Sequence, residues 1–445
     1  MTITIAIDGH SGSGKSTLAK QLATKLGFIY IDTGALYRAV TLKVLDTLGT
    51  SFDDTSLKKL LSSTSVDIKQ GAEGNRIFLD GKDVTDAIRE PRVSNFVSHV
   101  SAQPVVRQHL ITIQRDNAKN KNAILEGRDI GTVVLPDADF KFFITASIDA
   151  RAERRLQELR AKGISISLDA VKRNLIDRDE NDSKRKNSPL KKADDALVID
   201  SSKMTAEEKL NIVAHYINNI MESRRNRIYL FYKKLFRLLA KMLFRVQFYY
   251  EDYDSVKLFS GIVASNHCSN IDPPIVGNAI PYHIYFMAKE ELVKSKFPIL
   301  NKLFYNHANL IAIDRDNPSP KSIKNILSTL KEGKTVLIFP EGTRSPDGTI
   351  QSGKTGAGLL AYKSQVSILP VYIDGTFNAM PRGAKWIKPA KVTVVVGKPF
   401  TPDYSSLGGI PKKDIYKEVS ALMINRIEEL KDTFENKRRM LLTIK

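Results

Sequence analysis

The stretch TITIAIDGHSGSGKST, residues 2–17, decides the fold of the first half of the chain. Thr2 to Asp8 alternates β-branched and small apolar residues, which is typical of a buried strand. This strand runs directly into Gly9 to Thr17, which fits the pattern G-x-x-x-x-G-K-[ST]. Because a helical pattern follows over Lys15 to Leu26, we predict a strand, a phosphate-binding loop and a helix in succession.

The loop contains the residue types that a nucleoside triphosphate requires. Glycines such as Gly9 and Gly14 let the backbone curl so that successive N–H groups point at phosphate oxygens. The Lys15 ammonium is expected to reach the β- and γ-phosphates, and the Ser16 hydroxyl to ligate Mg²⁺. An ordinary glycine turn is the alternative interpretation. The residues predicted to bind ATP are Gly9, His10, Ser11, Gly12, Ser13, Gly14, Lys15, Ser16 and Thr17.

Strands and helices alternate through the rest of the first half. Phe28 to Asp32 predicts a second strand, and Thr33 is the expected N-cap of the following helix. Val66 to Val84 predicts three short strands with a hairpin turn at Asp80-Gly81. Further strands are expected at Ala123–Leu125, Phe140–Thr145 and Ala196–Asp200. The pattern predicts an α/β fold, a doubly wound parallel sheet with a small antiparallel insert and ligands at the carboxyl ends of the strands.

Six motifs extend this interpretation to a family. They are DTGALYRA from Asp32, SHVSAQPVVR from Ser98, EGRDIGTVVLPDAD from Glu126, RAERR from Arg151, RDENDSKRKNSPL from Arg178 and DDALVIDSS from Asp194. Together they resemble the bacterial cytidylate kinases over residues 2 to about 220. The resemblance implies the P-loop nucleoside monophosphate kinase fold and transfer of the γ-phosphoryl group of ATP to CMP or dCMP.

The same resemblance implies how the nucleoside monophosphate is bound. Ser98, Arg107 and Asp129 would face the cytosine edge, while Arg38 and Arg128 would hold the phosphate. Arginine suits a phosphoryl group because its planar fork binds two oxygens at once.

A mobile lid is also implied. Arg178 and Arg185 would close down from it with catalytic roles beside Lys15, and Asp182 would turn toward the ribose. Thr33 replaces the serine that is common in the family's substrate-binding motif and keeps the hydroxyl.

Composition limits the remaining functions. The 445 residues carry a net charge of +19, which implies polyanionic partners such as nucleotides, nucleic acid or an anionic membrane face. The single cysteine, Cys268, excludes an intrachain disulfide framework. The first ten residues do not follow the signal-peptide pattern, and no apolar run approaches the length of a transmembrane helix. We therefore expect a cytoplasmic protein whose membrane contact is peripheral.

The junction at residues 223–250 predicts a basic amphipathic helix. It could lie among lipid headgroups with its apolar side down, or it could be a linker helix packed on a domain with a solvated basic edge. Six cations share about a third of its circumference: Arg227, Lys233, Lys234, Arg237, Lys241 and Arg245. The predicted domains are residues 1–222 and 251–445, with this helix between them.

The second half offers a histidine and an aspartate in NHCSNIDPP, residues 266–274. Asp272 precedes a proline and so belongs in a turn, which can bring its carboxylate back onto His267. The carboxylate would then fix the imidazole tautomer and leave the other ring nitrogen as a general base. A structural His-Asp pair and an acyl-cysteine mechanism at Cys268 are the alternatives.

An ordered set of motifs surrounds this pair. FMAKEEL from Phe286, AIDRDN from Ala312, FPEGTRS from Phe339 and ILPVYI from Ile368 resemble the glycerolipid acyltransferases over about residues 255 to 400. In particular they resemble 1-acylglycerol-3-phosphate acyltransferase, which implies a second α/β domain.

By this resemblance His267 and Asp272 are the catalytic pair, and four residues bind the phosphate of the acceptor: Arg315, Glu341, Gly342 and Arg344. Because a carboxylate pointing inward would repel the phosphate, we expect Glu341 to pair with an arginine or to accept a glycerol hydroxyl. Trp386 lies among cations, which suits either a headgroup interface or packing on its own domain.

The sequence therefore predicts a fused enzyme that phosphorylates CMP and acylates lysophosphatidate to phosphatidate. The acyl donor would be acyl-CoA or acyl-carrier protein, and an anionic membrane surface would be a partner. One alternative is a kinase with a catalytically silent, acyltransferase-like membrane tether. Another is a nucleic-acid motor, but no stacking platform or recognised nucleic-acid module is present in the sequence, so no nucleic-acid partner is expected.

Overall fold

A computed structural model of the chain describes residues 2–71, 74–161, 163–185, 187–289, 309–313, 319–407, 409 and 411–443. It divides into two compact units, Met1–Ala214 and His215–Lys445. The division falls within one helix, Ala206–Arg225, and the boundary expected at residue 222 lies in the same helix.

The first unit contains two sheets. Its strands are β1 (Thr4–Gly9), β2 (Ile29–Asp32), β3 (Val66–Gly71), β4 (Gly74–Leu79), β5 (Lys82–Asp83), β6 (Ala123–Gly127), β7 (Phe140–Thr145) and β8 (Leu197–Asp200). Five of them form a parallel sheet in the order β2-β6-β1-β7-β8. In its register Asp8 pairs with Gly127 on one side and with Phe143 on the other. The predicted parallel sheet is confirmed.

The small insert is the antiparallel sheet β3-β4-β5. Its second turn is formed by Asp80 and Gly81, with φ angles of 50° and 81°. Two successive positive φ values are what the tightest hairpin turns require, and Asp-Gly is a preferred pair for them. The predicted hairpin turn is therefore confirmed.

Helices connect these strands. They are α1 (Lys15–Leu26), α2 (Thr33–Thr47), α3 (Asp54–Ser62), α4 (Pro91–Ser101), α5 (Pro104–Ala118), α6 (Ile148–Ala161), α7 (Leu168–Lys184) and α8 (Ala206–Arg225). A 3₁₀ turn spans Ala87–Arg89 and a π-helical turn spans Ile130–Val134.

The N-cap predicted for α2 was wrong by one residue. The cap is Asp32, whose carboxylate accepts a hydrogen bond from the Ala35 N–H at 2.9 Å. An aspartate oxygen reaches the free N–H groups of a first turn readily. The Thr33 hydroxyl instead donates to the carbonyl oxygen of Glu126 at 2.7 Å and so joins α2 to the end of β6.

The second unit is built on a mixed sheet. Its described strands are β9 (Gln247–Tyr250), β10 (Ile262–Ser265), β11 (Tyr285–Lys289), β12 (Leu310–Ile313), β13 (Val336–Ile338), β14 (Ile368–Asp374) and β15 (Thr393–Val396). Their order is β12-β11-β13-β10-β14-β15-β9, and only the β14–β15 pairing is antiparallel. β9 is an edge strand of this sheet, although the sequence places its residues in the junction.

Helices cover both faces of this sheet. They are α9 (Arg227–Phe244), α10 (Tyr253–Leu258), α11 (Asp272–Ala279), α12 (Pro320–Lys331), α13 (Thr355–Ser364), α14 (Thr376–Ala379) and α15 (Lys412–Thr443). Val263 packs into the core that includes α9 and α11, whereas its neighbours Ile262 and Ala264 pack into the core that includes α12, α13 and α15. Because side chains alternate along a strand, one short apolar strand supports both cores.

The junction helix α9 departs from the predicted basic edge at one position. The Lys233 ammonium donates to the carbonyl oxygens of Ile280 at 2.5 Å and Tyr282 at 3.1 Å instead of facing solvent. Burial, with a smaller contribution from Arg237, lowers the pKa of Lys233 to about 7. Since α9 packs on the unit through Ala240, the helix turns Lys233 inward.

The described helices include none that is both long enough and apolar enough to cross a membrane.

Candidate active sites

The phosphate-binding loop lies between β1 and α1, at the carboxyl end of the central strand. Gly9 has a φ of 152°, and a Cβ there would lie 2.1 Å from the Ile144 carbonyl oxygen, so only glycine fits. Lys15 is buried and Ser16 is exposed at the start of α1. The other predicted loop residues, His10, Ser11, Gly12, Ser13, Gly14 and Thr17, occupy the same turn or the first turn of α1.

Lys15 faces an acidic neighbour that the sequence did not single out. Its Nζ lies 3.9 Å from Oε2 of Glu126, the penultimate residue of β6. The Tyr30 hydroxyl donates to the other Glu126 carboxylate oxygen at 2.9 Å. Burial, followed by the nearby Arg128, lowers the pKa of Lys15 to about 8. A buried cation beside a second cation is an environment that attracts phosphate.

Two cations donate hydrogen bonds to backbone carbonyl oxygens of the phosphate-binding loop. The Lys209 ammonium donates to the Gly14 carbonyl oxygen at 3.1 Å, and Arg151 donates to the Ser11 carbonyl oxygen at 3.2 Å. Arg151 also pairs with Asp179 of α7 at 2.5 Å. Arg151 opens the RAERR motif of the family resemblance but was assigned no role there. Lys209 was missed, because a lysine in a helical pattern carries no sequence signal for such a contact.

The predicted base-binding residues Arg107 and Asp129 form a buried ion pair. The Arg107 guanidinium also lies 5.3 Å from the centroid of the Tyr37 ring. Arg128 pairs with Asp182 through a 2.7 Å contact. These predicted ligands therefore come together from α5, from the turn after β6 and from α7.

Three further predicted ligands are Arg38, Arg185 and Ser98. Arg38 pairs with Asp32 at 3.2 Å, and Arg185 lies 3.7 Å from a carboxylate oxygen of Asp182. Ser98 is an exposed residue of α4 and does not share the burial of Arg107 and Asp129.

Arg178 lies close to other charged groups of this cluster. Its pKa is lowered by burial and then by Arg128, against the opposing effect of Asp182. Burial works to raise the pKa of Asp182 itself, but Arg128, Arg185 and Arg178 together bring that pKa below its usual range. The cluster thus holds several guanidinium groups around carboxylates in a partly dry space, which suits an anionic ligand.

The second unit has its own buried acid–base pair. His267 Nδ1 lies 2.8 Å from Oδ2 of Asp272, the first residue of α11. The same oxygen accepts from the backbone N–H groups of Cys268 and Ser269, both at 2.7 Å. The imidazole ring stacks on Phe339 with 3.9 Å between centroids. Hydrogen bonds and stacking together fix the orientation of the ring.

Glu341 does not form the predicted arginine pair with any described residue. Its carboxylate accepts from the His267 N–H at 2.8 Å and from the Gln351 N–H at 3.2 Å. The side chain is buried, and burial raises its pKa to about 7 despite these two hydrogen bonds. Glu341 therefore joins the turn after β13 to the histidine turn after β10, because its carboxylate satisfies one backbone N–H from the histidine turn and one from Gln351.

The other predicted acceptor-binding residues are divided between described and undescribed parts of the chain. Gly342 has a φ of 67°, and a Cβ there would lie 2.9 Å from the Lys354 side chain. Arg344 is partly exposed two residues later. Lys354 is an exposed cation beside this turn that the sequence did not single out. Arg315 lies outside the described residues.

Cys268 is poorly placed to be a nucleophile. It is buried, and burial followed by the charges of Asp272 and Glu341 raises the pKa of its thiol to about 12. Its sulfur lies 3.7 Å from the carbonyl oxygen of Gly348. Because the thiolate is the reactive form, this environment disfavours an acyl-cysteine intermediate.

Comparison with known proteins identifies both halves. The cytidylate kinase family model matches residues 5–219, and the acyltransferase family model matches residues 249–374. A cytidylate kinase of Carboxydothermus hydrogenoformans is 48% identical over 204 residues, which are 46% of this chain and 92% of that protein. A cytidylate kinase of Caldanaerobacter subterraneus subsp. tengcongensis is 49% identical over 208 residues, 47% of this chain and 91% of that protein.

Among solved structures, the 1-acyl-sn-glycerophosphate acyltransferase of Thermotoga maritima is similar, with 29% identity and a TM-score of 0.37. The match covers 52% of this chain and 84% of that one. The predicted fusion is confirmed: this transferase belongs to the cytidylate kinase family through its first half and carries an acyltransferase domain in its second.

Proposed function

We propose that the first unit transfers the γ-phosphoryl group of ATP to CMP or dCMP, and that the second transfers an acyl group from a thioester to lysophosphatidate. The observation that carries the second proposal is the 2.8 Å contact between His267 and Asp272 in a buried, stacked arrangement. The first rests on the family and on the cluster of cations beside the phosphate-binding loop.

In the kinase unit the loop N–H groups and Lys15 bind the β- and γ-phosphates of ATP. The residues present fit Mg²⁺, since the Ser16 hydroxyl is exposed in the first turn of α1 and the Glu126 carboxylate lies one residue before the end of the neighbouring strand. Ser16 would hold the ion, which neutralises phosphate charge when bound.

Around the monophosphate, Arg38 and Arg128 exchange their carboxylate partners for phosphate oxygens. Arg178 and Arg185 surround the transferred group with positive charge as it moves between oxygens. Arg107 presents a donor and Asp129 an acceptor to the cytosine edge. The buried ion pair between these two residues supports this assignment. Asp182 is released from Arg128 to meet the ribose, and Thr33 orders the substrate side of α2 through Glu126.

In the acyltransferase unit Asp272 accepts from His267 Nδ1–H and thereby holds the proton on that nitrogen. Nε2 is then free to remove the proton from the acceptor hydroxyl. The hydroxyl oxygen forms a bond to the thioester carbonyl carbon, the carbon–sulfur bond breaks, and the proton passes from the imidazolium to the departing thiolate. Acyl-CoA and acyl-carrier protein are the two donor classes that supply such a thioester.

The acceptor phosphate binds beside the same turn. The resemblance assigns this phosphate to Arg344, Arg315 and Gly342. The two guanidinium groups would be the donors, since the Gly342 N–H already donates to the Phe339 carbonyl oxygen at 2.9 Å, and Lys354 adds a nearby cation. Glu341 was expected to bind the acceptor. We propose instead that it positions His267, because its carboxylate accepts a hydrogen bond from the His267 backbone N–H.

A direct test uses the full-length chain with lysophosphatidate and radiolabelled acyl-CoA. We expect phosphatidate formation, with a loss of about 10²- to 10⁴-fold on replacing the general base in His267→Ala. The buried structural histidine in His283→Gln serves as the matched control. Complete absence of thioester turnover from the wild-type chain would favour a catalytically silent tether. Turnover that survives His267→Ala would exclude His267 as the general base.

We further propose that the second unit docks on an anionic membrane. On α9 an apolar stripe remains exposed, with Met242 at 71% exposure, and Lys234, Arg237 and Lys241 line one edge of it. The stripe comprises Phe231, Leu235, Leu238, Leu239, Met242 and Leu243. Apolar side chains flanked by cations match the boundary between acyl chains and anionic headgroups.

Two further exposed apolar residues, Trp386 and Ile387, lie in a segment that contacts the end of α9. The Ala390 N–H donates to the Leu243 carbonyl oxygen at 3.4 Å, so the segment that carries Trp386 meets α9. Trp386 is 83% exposed and Ile387 is 49% exposed. Interfacial tryptophans are typical of surfaces that rest on lipid headgroups.

Trp386 is the chain's only tryptophan and reports docking directly. Vesicles of phosphatidylglycerol and phosphatidylcholine should shift its emission to shorter wavelength, and vesicles of phosphatidylcholine alone should do so much less. Met242→Glu should weaken binding because it buries a charge, whereas Ile164→Glu in the first unit is the control. An unchanged emission with anionic vesicles would contradict the docking proposal while leaving the acyl-transfer assay unaffected.

A further inference from the structure

A buried carboxylate that no predicted site contains lies directly before the phosphate-binding loop. Asp8 is a residue of β1, is 4% exposed and precedes Gly9. Its two oxygens accept from the backbone N–H groups of Ile130 at 2.8 Å and Gly131 at 2.7 Å. Both of its carboxylate oxygens are therefore used.

These two amides belong to the element that carries the monophosphate ligands. Ile130 and Gly131 begin the π-helical turn Ile130–Val134, which follows Arg128 and Asp129 without a gap. The backbone of the ligand-bearing segment is thus tied to the strand that ends in the phosphate-binding loop.

The approach of the two segments is close. A Cβ on Gly131 would lie 3.3 Å from Asp8 Oδ2 and 3.2 Å from the Lys141 side chain. Glycine at this position therefore lets the amide come within hydrogen-bonding distance of the carboxylate. A π-helical turn is rare and commonly marks a functional position, and here its first two donors are directed to one side chain.

A carboxylate is specifically suited to two converging donors. It has only acceptors, so it satisfies both N–H groups, and bonds to an ionised acceptor are stronger than neutral ones. An asparagine of the same shape has one acceptor oxygen and would direct its NH₂ group at the second amide. The structure thus distinguishes Asp from Asn at position 8 by hydrogen bonding rather than by volume.

We infer that Asp8 is a positioning residue of the kinase reaction that sets the Arg128–Asp129 segment against the phosphate-binding loop. It touches neither nucleotide and acts through the backbone of the turn that follows these two ligands. Its replacement should therefore affect CMP more than ATP.

The test compares Asp8→Asn with the wild-type chain in CDP formation at saturating Mg-ATP. We expect kcat/KM for CMP to fall about 10- to 100-fold, the range for leaving one buried donor without its acceptor. The dissociation constant for ATP, measured by calorimetry, should change less than about threefold. A loss caused by general damage would not divide in this way between the two substrates.

Asp139→Asn is the matched control. Asp139 accepts a hydrogen bond from Thr4 N–H at 3.1 Å, at the opposite end of the same strand. We expect its kinetics with CMP to stay within about twofold of wild type. CMP kinetics unchanged by Asp8→Asn would overturn the inference, as would equal losses in both variants or an equal loss of ATP affinity. If Asp8→Asn fails to fold, Gly131→Ala offers a second variant that pushes the same amide away, with the same split expected between CMP and ATP.

Discussion

At the scale of single residues, the thiol beside His267 gives the clearest test of the proposed chemical mechanism. Cys268→Ala should retain most acyltransferase activity, within about threefold, because burial raises the pKa of the thiol to about 12 and keeps it protonated. Initial rates of phosphatidate formation would measure this. A loss as large as that of His267→Ala would restore the acyl-cysteine mechanism.

Lys209 leads to a prediction about nucleotide affinity. Replacing it in Lys209→Met removes an ammonium that donates to the Gly14 carbonyl oxygen, so the phosphate-binding loop loses a charge-assisted contact. We expect ATP to bind about tenfold more weakly, corresponding to about 1.4 kcal/mol. Lys25→Met, which changes an exposed lysine of α1, is the control, and calorimetric titration is the measurement. Equal ATP affinities in the two variants would mean that Lys209 does not support the phosphate-binding loop.

Residue identities were predictable from the sequence where a motif specifies a backbone shape as well as a side chain. Gly9 and Lys15 belong to such a motif. The partner of Glu341 was not predictable, since the choice between an arginine and a backbone N–H depends on how the turn after β13 meets the histidine turn. The hydrogen bond between Glu341 and His267 joins residues more than 70 positions apart, and no local sequence pattern predicts it.

At the scale of elements, α9 offers a test of burial through pH. Burial lowers the pKa of Lys233 from 10.5 to about 7, so between these values the folded chain binds fewer protons than the unfolded chain. The contribution of Lys233 to the free energy of unfolding should therefore rise with pH from about 7 to about 10, by at most about 1.4 kcal/mol per pH unit.

Denaturant unfolding at several pH values would measure this contribution in pairs of variants. Lys233→Met should lose the rise, whereas Lys234→Met, which changes the exposed neighbour, should keep it. A Lys233→Met curve parallel to that of wild type would mean that the ammonium is solvated in the folded chain.

Strands and helices with a strong period were predictable, including β1, α1 and the hairpin at Asp80-Gly81. The exposed and inward faces of α9 were only partly predictable. A helical wheel gives the relative positions of side chains but not the direction in which the domain lies, and so Lys233 was placed on the basic edge with the other cations. The edge strand β9 was missed because four residues are too few for a reliable period.

At the scale of the whole molecule, two compact units support two different chemistries on one chain. The phosphate-binding loop and its arginine cluster belong to the first compact unit, and the His267–Asp272 pair belongs to the second. Each site places its charged groups at the carboxyl ends of its own sheet, where parallel strands deliver loops. Nothing in the proposed chemistry of either site requires a residue of the other, so we expect the two activities to be separable by single substitutions.

The most direct measurement follows CDP and phosphatidate formation by the full-length wild-type chain, Lys15→Ala and His267→Ala. The account predicts both products from the wild type. Lys15→Ala should lose CDP formation by at least about 100-fold and keep phosphatidate formation, and His267→Ala should do the reverse. A wild-type chain that makes CDP but no phosphatidate, or a His267→Ala chain that still makes phosphatidate at the wild-type rate, would contradict it.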